Sequence, residues 1–240
     1  MNSQKRVKAL HQKKYRSLNN KFIIEGIRSI HSAIEAKAVI NIIFYTSDFS
    51  KKNSKTMESF KKTPLKMVSS KEIDNLSPSI TSSGVLAVCE IPKFQTLNNK
   101  KNIIFLDKIA DPGNFGTILR TALWFGIDQI AYSPGSIDPY NPKVVRGAMG
   151  AHFNISWLGE LKLEELKGYK ILGADYRGKS IKALDIDNQK WALIMGSEPH
   201  GLSKKTHEYL EELIAIPKVG EGESLNIGVS MGILLYELTK

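Results

Sequence analysis

The sequence is poor in cysteine and lacks long apolar runs. Cys89 is the single cysteine among 240 residues. One thiol cannot form an internal disulfide or supply a cysteine-based zinc site, and its isolation fits a reducing cytoplasm. No apolar run is long enough to span a bilayer, and Met1 to Arg6 lead into further lysines, so neither a membrane anchor nor a signal peptide is predicted.

Positive charge is abundant, and it is unevenly distributed. The formal net charge is +10, yet residues 1–100 carry 18 Lys+Arg against 7 Asp+Glu, whereas residues 101–240 carry 16 against 17. A basic block attracts a polyanion such as RNA through release of counterions. A lysine-rich surface facing solvent explains the same counts equally well, so charge alone does not decide between the two interpretations.

Short apolar runs alternate with amphipathic stretches along the whole chain, which predicts an α/β protein. In residues 1–92 strands are predicted near 22–24, 42–45, 65–68 and 85–89. The polar segment 93–101 is predicted to be a linker. In residues 102–240 the alternation predicts a mainly parallel sheet covered on both faces, with strands near 103–106, 129–132, 153–157, 169–172, 191–195 and 213–216.

Three segments of the second part have the composition of ligand-binding loops. Residues 111–122 follow a predicted strand and open a helix, and their polar groups include Asn114 and Arg120. Residues 194–203 contain Gly196 and Glu198 directly after an apolar strand, where ligands bind in parallel α/β sheets. Residues 216–227 form a glycine-rich loop before the last helix. Each segment taken alone also fits an ordinary turn with a helix cap.

The segment Gly173–Ser180 fits the phosphate-loop pattern G-x-x-x-x-G-K-[ST]. A phosphate loop requires a helix that starts at the Lys-Ser pair, so that its amides meet the phosphates. Residues 181–189 are too few and too polar for such a helix. A nucleotide hydrolase is therefore a weak alternative.

The three segments in this order and spacing resemble the signature motifs of the SpoU (TrmH-like) RNA 2'-O-ribose methyltransferases of the SPOUT superfamily. The first motif is matched by 114–122, the second by Gly196-Ser197-Glu198 with Gly201-Leu202, and the third by Ile216-Pro217 with Ser224-Leu225-Asn226. Residues 144–151 also resemble the segment between the first two motifs. Gly228 departs from the pattern, because a serine is usual there.

This resemblance implies a two-domain organisation and an activity. We expect an L30e-like RNA substrate-binding domain at 1–92 and a SPOUT catalytic domain at 102–240 with a C-terminal trefoil knot, a feature that no pattern of residues predicts by itself. The implied activity is methyl transfer from S-adenosyl-L-methionine to a ribose 2'-hydroxyl of RNA, with ribosomal RNA favoured over transfer RNA. A homodimer is also implied, and no metal is expected.

The resemblance also assigns roles to residues. The implied cofactor-binding residues are Met195, Gly196, Ile216, Pro217 and Leu225, and the implied catalytic residues are Asn114, Arg120, Glu198, Ser224 and Asn226. A guanidinium stays protonated in proteins, so we expect Arg120 to grip a phosphate and stabilise the developing alkoxide rather than act as a simple base. Glu198 is either the base or a positioning group, and an RNA-binding protein of the same fold without catalytic activity is the alternative function.

Overall fold

The computed structural model of the protein describes residues 3–185 and 189–240. The chain forms two compact units. The first comprises the chain up to residue 92 together with residues 138–153, and the second comprises residues 93–137 and 154–240. Segment 138–153, which the sequence places in the catalytic domain, therefore packs with the first unit.

The helices and strands up to residue 92 are α1 (Ser3–Ala9), α2 (Lys13–Asn19), β1 (Lys21–Glu25), α3 (Ile27–Glu35), β2 (Ile40–Tyr45), α4 (Ser47–Lys52), α5 (Ser54–Phe60), β3 (Leu65–Met67), α6 (Ser70–Leu76) and β4 (Val85–Glu90). After residue 92 they are β5 (Ile103–Leu106), α7 (Pro112–Trp124), β6 (Gln129–Tyr132), α8 (Pro142–Ala148), β7 (Ser156–Glu160), β8 (Lys170–Ser180), β9 (Trp191–Met195), α9 (Lys204–His207), β10 (Glu212–Ala215) and α10 (Ile227–Leu238). Single 3-10 turns occur at Ala151–Asn154, Leu163–Leu166 and Ile181–Ala183.

The sheet of the first unit is mixed. Its strand order is β1-β4-β2-β3, with β4 antiparallel to both neighbours and β3 parallel to β2. Apolar side chains at the centre of the strands, such as Phe22 and Phe44, are fully buried, and α3 contributes Ile30 to the buried residues. The α/β character predicted for this part of the chain is therefore confirmed.

Segment 138–153 is anchored in the first unit by one buried ion pair and by contacts between aromatic rings. Arg16 is only 3% exposed and forms an ion pair with Asp138. The ring of Phe22 on β1 lies 4.9 Å from the ring of Tyr140 and 5.9 Å from that of Phe153, measured between centroids. Because Phe153 packs here, the strand predicted at 153–157 was wrong in its start, and β7 begins at Ser156.

The second unit contains a parallel sheet in the order β10-β8-β9-β5-β6-β7. All strand pairs within it are parallel among the described residues. Every residue of the central strands β5 and β9 is buried, so both faces of the sheet centre are covered. The prediction of a mainly parallel, doubly covered sheet is confirmed, whereas the trefoil knot stays a prediction.

The phosphate-loop interpretation was wrong. Gly173–Ser180 lies entirely within β8, which is an extended strand. Lys179 and Ser180 pair with Ile214 and Ala215 of β10, so their backbone is used in the sheet. Only the short 3-10 turn Ile181–Ala183 follows, and residues 186–188 lie outside the described residues.

Across the described chain, no helix combines the length and the apolar character needed to cross a membrane.

Candidate active site

The candidate residues lie where three chain segments leave the parallel sheet of the second unit. Helix α7 follows β5, the loop 196–203 follows β9, and α10 follows the loop after β10. Strands β5 and β9 are hydrogen-bonded neighbours. Since all strands point the same way, these segments start from the same edge of the sheet, which is the edge where ligands bind in such folds.

Helix α7 begins with a side-chain cap that presents Asn114. The Oδ1 atom of Asp111 accepts a hydrogen bond from the backbone N–H of Asn114 at 2.7 Å. Pro112 occupies the first turn, where its missing N–H costs nothing. The Asn114 side chain therefore projects from a rigid first turn and is half-buried.

A chain of hydrogen bonds joins the three sequence motifs through Asn114. Its Nδ2 donates to Oε1 of Glu198 at 2.7 Å, and its Oδ1 accepts from Nδ2 of Asn226 at 2.8 Å. The Oδ1 of Asn226 in turn accepts from the N–H of Gly228 at 2.9 Å and caps α10. The sequence left Ser224 or Asn226 as the cap of the final helix, and the structure has Asn226 in that position.

Chemistry at both ends of this chain fixes the orientation of the two amides. A carboxylate such as Glu198 can only accept hydrogen bonds, and the backbone N–H groups of α10 can only donate them. Asn114 must therefore turn its Nδ2 toward Glu198, and Asn226 must turn its Oδ1 toward the helix. Reversing either amide would place two donors or two acceptors face to face.

The loop after β9 is closed so tightly that only glycine fits at its first position. Ser197 and Gly201 exchange backbone hydrogen bonds of 3.0 and 2.8 Å. A Cβ atom on Gly196 would lie 2.3 Å from the carbonyl carbon of Gly201, a separation that no real side chain tolerates. This closure holds Glu198 near the start of the turn, where Asn114 reaches it.

Gly228 lets α7 and α10 approach each other. A Cβ at this position would lie 2.9 Å from Cγ2 of Thr117 on α7. A serine, which is usual in the family at this point, would require Thr117 to move. The glycine at position 228, where the sequence departs from the third motif, therefore fits the close packing against Thr117.

The remaining candidate catalytic residues are not part of the hydrogen-bond chain. Arg120 lies on α7 and is exposed, and it forms no hydrogen bond or ion pair with the described residues. Ser224 is also exposed and makes no hydrogen bond within the described chain. The structure thus brings Asn114, Glu198 and Asn226 together, whereas Arg120 and Ser224 have no hydrogen-bond partner among the described residues.

The candidate cofactor-binding residues occupy the ends of β9 and the loop after β10. Met195 is buried at the last position of β9, Ile216 is half-buried, and Pro217 is exposed. Leu225 is 52% exposed, and Val219 in the same loop is fully exposed. Exposed aliphatic side chains beside a polar hydrogen-bond chain fit a ligand with both an apolar and a charged part, as S-adenosyl-L-methionine has.

One anchoring residue was missed by the sequence analysis. Asp107 follows β5, is only 4% exposed, and its Oδ2 accepts from Oγ1 of Thr206 at 2.6 Å and from the N–H of Ser203 at 3.3 Å. Its Oδ1 accepts from Oγ of Ser133 at 3.1 Å. Asp107 therefore ties the end of the loop after β9 to β5. An acidic residue at the end of a fully apolar strand was the available signal.

The second unit also exposes apolar side chains on its last helix. Exposed apolar side chains recur along α10 at Val229, Ile233 and Tyr236, and Trp124 at the end of α7 is 85% exposed. Within residues 3–185 and 189–240, no group of three or more His, Cys, Asp or Glu side chains is arranged to hold a metal ion.

Comparison with known proteins places this geometry in a family. Residues 101–236 match the model of the SpoU rRNA Methylase family, and residues 2–87 match that of the MRM3-like substrate binding domain. The 23S rRNA (guanosine(2553)-2'-O)-methyltransferase RlmP of Bacillus subtilis is 30% identical, over 96% of this chain and 93% of its own length.

Solved structures agree with the sequence match over the whole chain. The SpoU methyltransferase AviRb from Streptomyces viridochromogenes, in complex with AdoMet, has a TM-score of 0.88 and 23% identity, covering 100% of this chain and 97% of its own. The AdoMet-bound rRNA methyltransferase from Sinorhizobium meliloti has a TM-score of 0.84 and 25% identity, with coverage of 98% and 92%. The chain belongs to the SpoU rRNA methylase family.

Proposed function

We propose that this protein transfers the methyl group of S-adenosyl-L-methionine to a ribose 2'-hydroxyl in ribosomal RNA. The observation that carries the proposal is the hydrogen-bond chain from Glu198 through Asn114 to Asn226. These residues come from the three motifs of the family, and they lie 84 and 112 positions apart in sequence.

The loops at the ends of β9 and β10 are suited to hold the cofactor. Met195 and Gly196 lie where β9 ends at this edge of the sheet, while Ile216, Pro217 and Leu225 offer partly exposed apolar surface. When bound, S-adenosyl-L-methionine supplies an electrophilic methyl group on a sulfonium. The work left to the protein is to align the hydroxyl oxygen with that methyl and to handle the proton.

Arg120 is the group that we assign to the RNA side of the reaction. Its guanidinium is exposed and has no partner among the described residues, so its five donors are available to substrate. It grips a phosphate next to the reacting ribose and stabilises the negative charge that develops on the 2'-oxygen. The proton leaves to that phosphate or to water.

Glu198 has a positioning role in this scheme. Its Oε1 already accepts the hydrogen bond from Asn114, which ties the cofactor loop to α7. Asn226 acts in the same way on the other side, since it caps α10 and bonds Asn114. Ser224 is exposed beside Asn226 in the sequence and forms no hydrogen bond with the described residues, so we assign it a contact with the nucleotide.

The proposed substrate is a guanosine of the large ribosomal RNA. The relative from Bacillus subtilis is named for that activity and matches the chain from end to end. The excess of positive charge in residues 1–100, which coincide largely with the substrate-binding domain model, supports an extended RNA contact. We place the reaction in the cytoplasm, where the single buried thiol of Cys89 needs no oxidation.

A homodimer is part of the proposal. Val229, Ile233 and Tyr236 recur at spacings of four and three on α10, so they share one face, and that face is exposed. Exposed apolar side chains clustered on one helix face mark an interaction surface. A second copy of the chain is the proposed occupant. Ile233→Glu should convert a dimer into a monomer in sedimentation velocity, and a wild-type monomer would reject this part of the proposal.

The test of the function is a map of methylated nucleotides. Ribosomal RNA is taken from cells with the gene, without it, and without it but carrying Arg120→Ala, and 2'-O-methylation is mapped by mass spectrometry. One methylated guanosine should disappear with the gene and stay absent with Arg120→Ala. If all three maps are identical while the protein still binds RNA, the chain is an RNA-binding protein without this activity.

A further inference from the structure

Strand β8 departs from its neighbours in the sheet of the second unit over a short stretch. Leu213 and Ile214 are consecutive in β10, yet they pair with Gly173 and Lys179 of β8. Residues 174–178 therefore have no counterpart in β10, and the pairing of β8 with β9 ends at Gly173. We call residues 174–178 the β8 excursion. It falls within the segment that fits the phosphate-loop pattern, and it contains none of the candidate catalytic or cofactor-binding residues.

Close packing of two glycines fixes both ends of the β8 excursion. A Cβ on Gly173 would lie 2.8 Å from Cδ1 of Leu202, and a Cβ on Gly178 would lie 2.5 Å from the carbonyl carbon of Leu213. Any other residue at Gly178 would push the excursion away from the backbone of β10. The excursion is therefore held at both ends, while its middle faces solvent.

The β8 excursion lies beside the turn that holds Glu198. A Cβ on Gly201 would lie 3.9 Å from Oδ2 of Asp175 in the excursion. Gly201 exchanges backbone hydrogen bonds with Ser197 and so closes the turn that contains Glu198. The excursion therefore borders the edge of the sheet where we place the methyl transfer.

An ion pair within the excursion fixes the orientation of one guanidinium. Nε and Nη2 of Arg177 donate to Oδ1 and Oδ2 of Asp175 at 2.8 and 2.7 Å, and the backbone N–H of Arg177 donates to Oδ1 at 2.9 Å. The Asp175 side chain is only 5% exposed, and the bonds from the Arg177 side chain lower the pKa of its carboxyl. A two-point contact of this kind holds the plane of the guanidinium in place.

The fixed guanidinium supports an exposed aromatic ring. Cζ of Arg177 lies over the ring of Tyr176, 5.6 Å from its centroid, which is within the range of a cation–π contact. The Tyr176 residue is 85% exposed, so the ring face turned away from Arg177 is open to solvent. Tyr176 thus adds little to the core. It presents a flat apolar surface with a positive charge behind it, at the edge of the candidate active site.

We infer that the Tyr176 ring stacks on the base of the nucleotide whose ribose is methylated. Unpaired RNA bases are bound by stacking on aromatic side chains. A 2'-hydroxyl that reaches the site brings the base of its own nucleotide to the same edge of the sheet. Arg177 holds the ring in place and adds positive charge near the phosphates. The inference rests on the proposed function and names a residue on the substrate side of that same site.

The decisive variant is Tyr176→Ala, which removes the ring and leaves the ion pair of Asp175 with Arg177. Tyr176→Phe keeps the stacking surface and loses only the hydroxyl. The matched control is Trp124→Ala, which removes a ring from an equally exposed residue, at 85%, in the same unit. Because α7 connects the parallel strands β5 and β6, its last residue, Trp124, lies at the opposite edge of the sheet.

The readout is the affinity of the full-length protein for ribosomal RNA and for S-adenosyl-L-methionine. Tyr176→Ala should weaken RNA binding at least about fivefold, the effect of losing one stacked base, while Tyr176→Phe and Trp124→Ala should stay within about twofold of wild type. Cofactor affinity and the urea midpoint should not change. Equal RNA affinities for Tyr176→Ala and Tyr176→Phe overturn the inference. A loss of cofactor affinity alone in Tyr176→Ala also overturns it, because the ring would then stack on the adenine of the cofactor.

A fluorescent base tests which nucleotide is stacked. 2-Aminopurine, a purine whose emission falls on stacking, replaces the base at the methylated position of an RNA fragment. Its emission should be lower in complexes with wild type and Tyr176→Phe than in the complex with Tyr176→Ala. Equal emission in the three complexes contradicts the assignment to this base.

Methyl transfer measured on the same samples separates the two proposals. If wild type methylates no RNA, but Tyr176→Ala still binds RNA more weakly than Tyr176→Phe, the proposed function fails and the stacking surface stands. If wild type methylates RNA and the two variants bind and methylate it equally well, the proposed function stands and the stacking surface is rejected.

Discussion

Replacing Asn114 by aspartate changes a single atom of the hydrogen-bond chain, and it turns the donor that faces Glu198 into an acceptor. The Nδ2 group that donates to Glu198 at 2.7 Å becomes an oxygen, so two carboxylates face each other. A hydrogen bond to a charged group contributes about 1.5–3 kcal/mol. Repulsion between two unit charges at about 4 Å adds about 1 kcal/mol in water and about 4 kcal/mol at a partly shielded site.

The lower ends of these ranges apply, because this contact is exposed to solvent. We therefore expect Asn114→Asp to destabilise the joined loops by about 2.5 kcal/mol, which corresponds to a roughly 60-fold loss of cofactor affinity at about 1.4 kcal/mol per tenfold. Isothermal titration calorimetry with S-adenosyl-L-methionine at pH 7 measures this directly.

Two comparisons make the expectation specific. Asn114→Leu loses the bond to Glu198 without adding charge, and it also loses the bond from Asn226 that Asn114→Asp keeps, so its loss of affinity should not depend on pH. On acidification to pH 5, Asn114→Asp should recover part of its affinity, because paired carboxylates raise each other's pKa and share a proton. Asn114→Leu should not recover. If the two variants behave alike at both pH values, or if Asn114→Asp binds the cofactor as wild type does, the chain does not hold the site.

Two predictions concern the segment that is packed into the first unit. Asp138→Ala should lower the free energy of unfolding, measured in urea, by about 3–5 kcal/mol, because it leaves the buried guanidinium of Arg16 without its counter-charge. The control Glu58→Ala breaks a surface ion pair with Lys61 and should cost far less. Equal losses for the two variants would contradict a stabilising role of the buried pair. Burial lowers the pKa of His152 from 6.5 to about 4, although the carbonyl of Pro139 and the charge of Asp138 oppose the shift. The unfolded chain thus binds a proton on this ring near pH 6.5 and the folded chain only near pH 4, so the free energy of unfolding should fall as the pH drops from 7 to 5, by about 2 kcal/mol from this ring. His152→Gln should remove that part of the pH dependence, and an unchanged dependence would refute the assignment.

The sequence was sufficient to predict the sheet centre and the three motifs. Strands at 103–106 and 191–195 were predicted with the observed bounds, because short apolar runs flanked by polar residues have few other structures. The length of β8 was not predictable in the same way. Its polar second half is extended because Lys179 and Ser180 pair with β10, more than thirty residues later in the chain.

The candidate site shows the same division between local and distant information. Asn114 and Asn226 each have the local pattern of a helix cap, and the cap formed by Asn226 is present. Their contact with each other, and the contact of Asn114 with Glu198, depend on how the sheet brings distant segments to one edge. Likewise, no local pattern indicated that residues 138–153 would pack with the first unit through Arg16.

Arg120 provides the most direct test of the proposed mechanism, because its side chain is exposed and forms no hydrogen bond or ion pair with the described residues. The measurement is the single-turnover rate of methyl transfer to ribosomal RNA for wild type and Arg120→Lys, with cofactor affinity and the urea midpoint determined on the same samples. A lysine keeps the charge but loses the planar pair of donors. We predict a fall in rate of about 100-fold or more, the effect of removing one donor that stabilises a developing oxyanion, with cofactor affinity and stability unchanged. A rate equal to wild type, or a loss of cofactor affinity that accounts for the whole fall, would contradict the account.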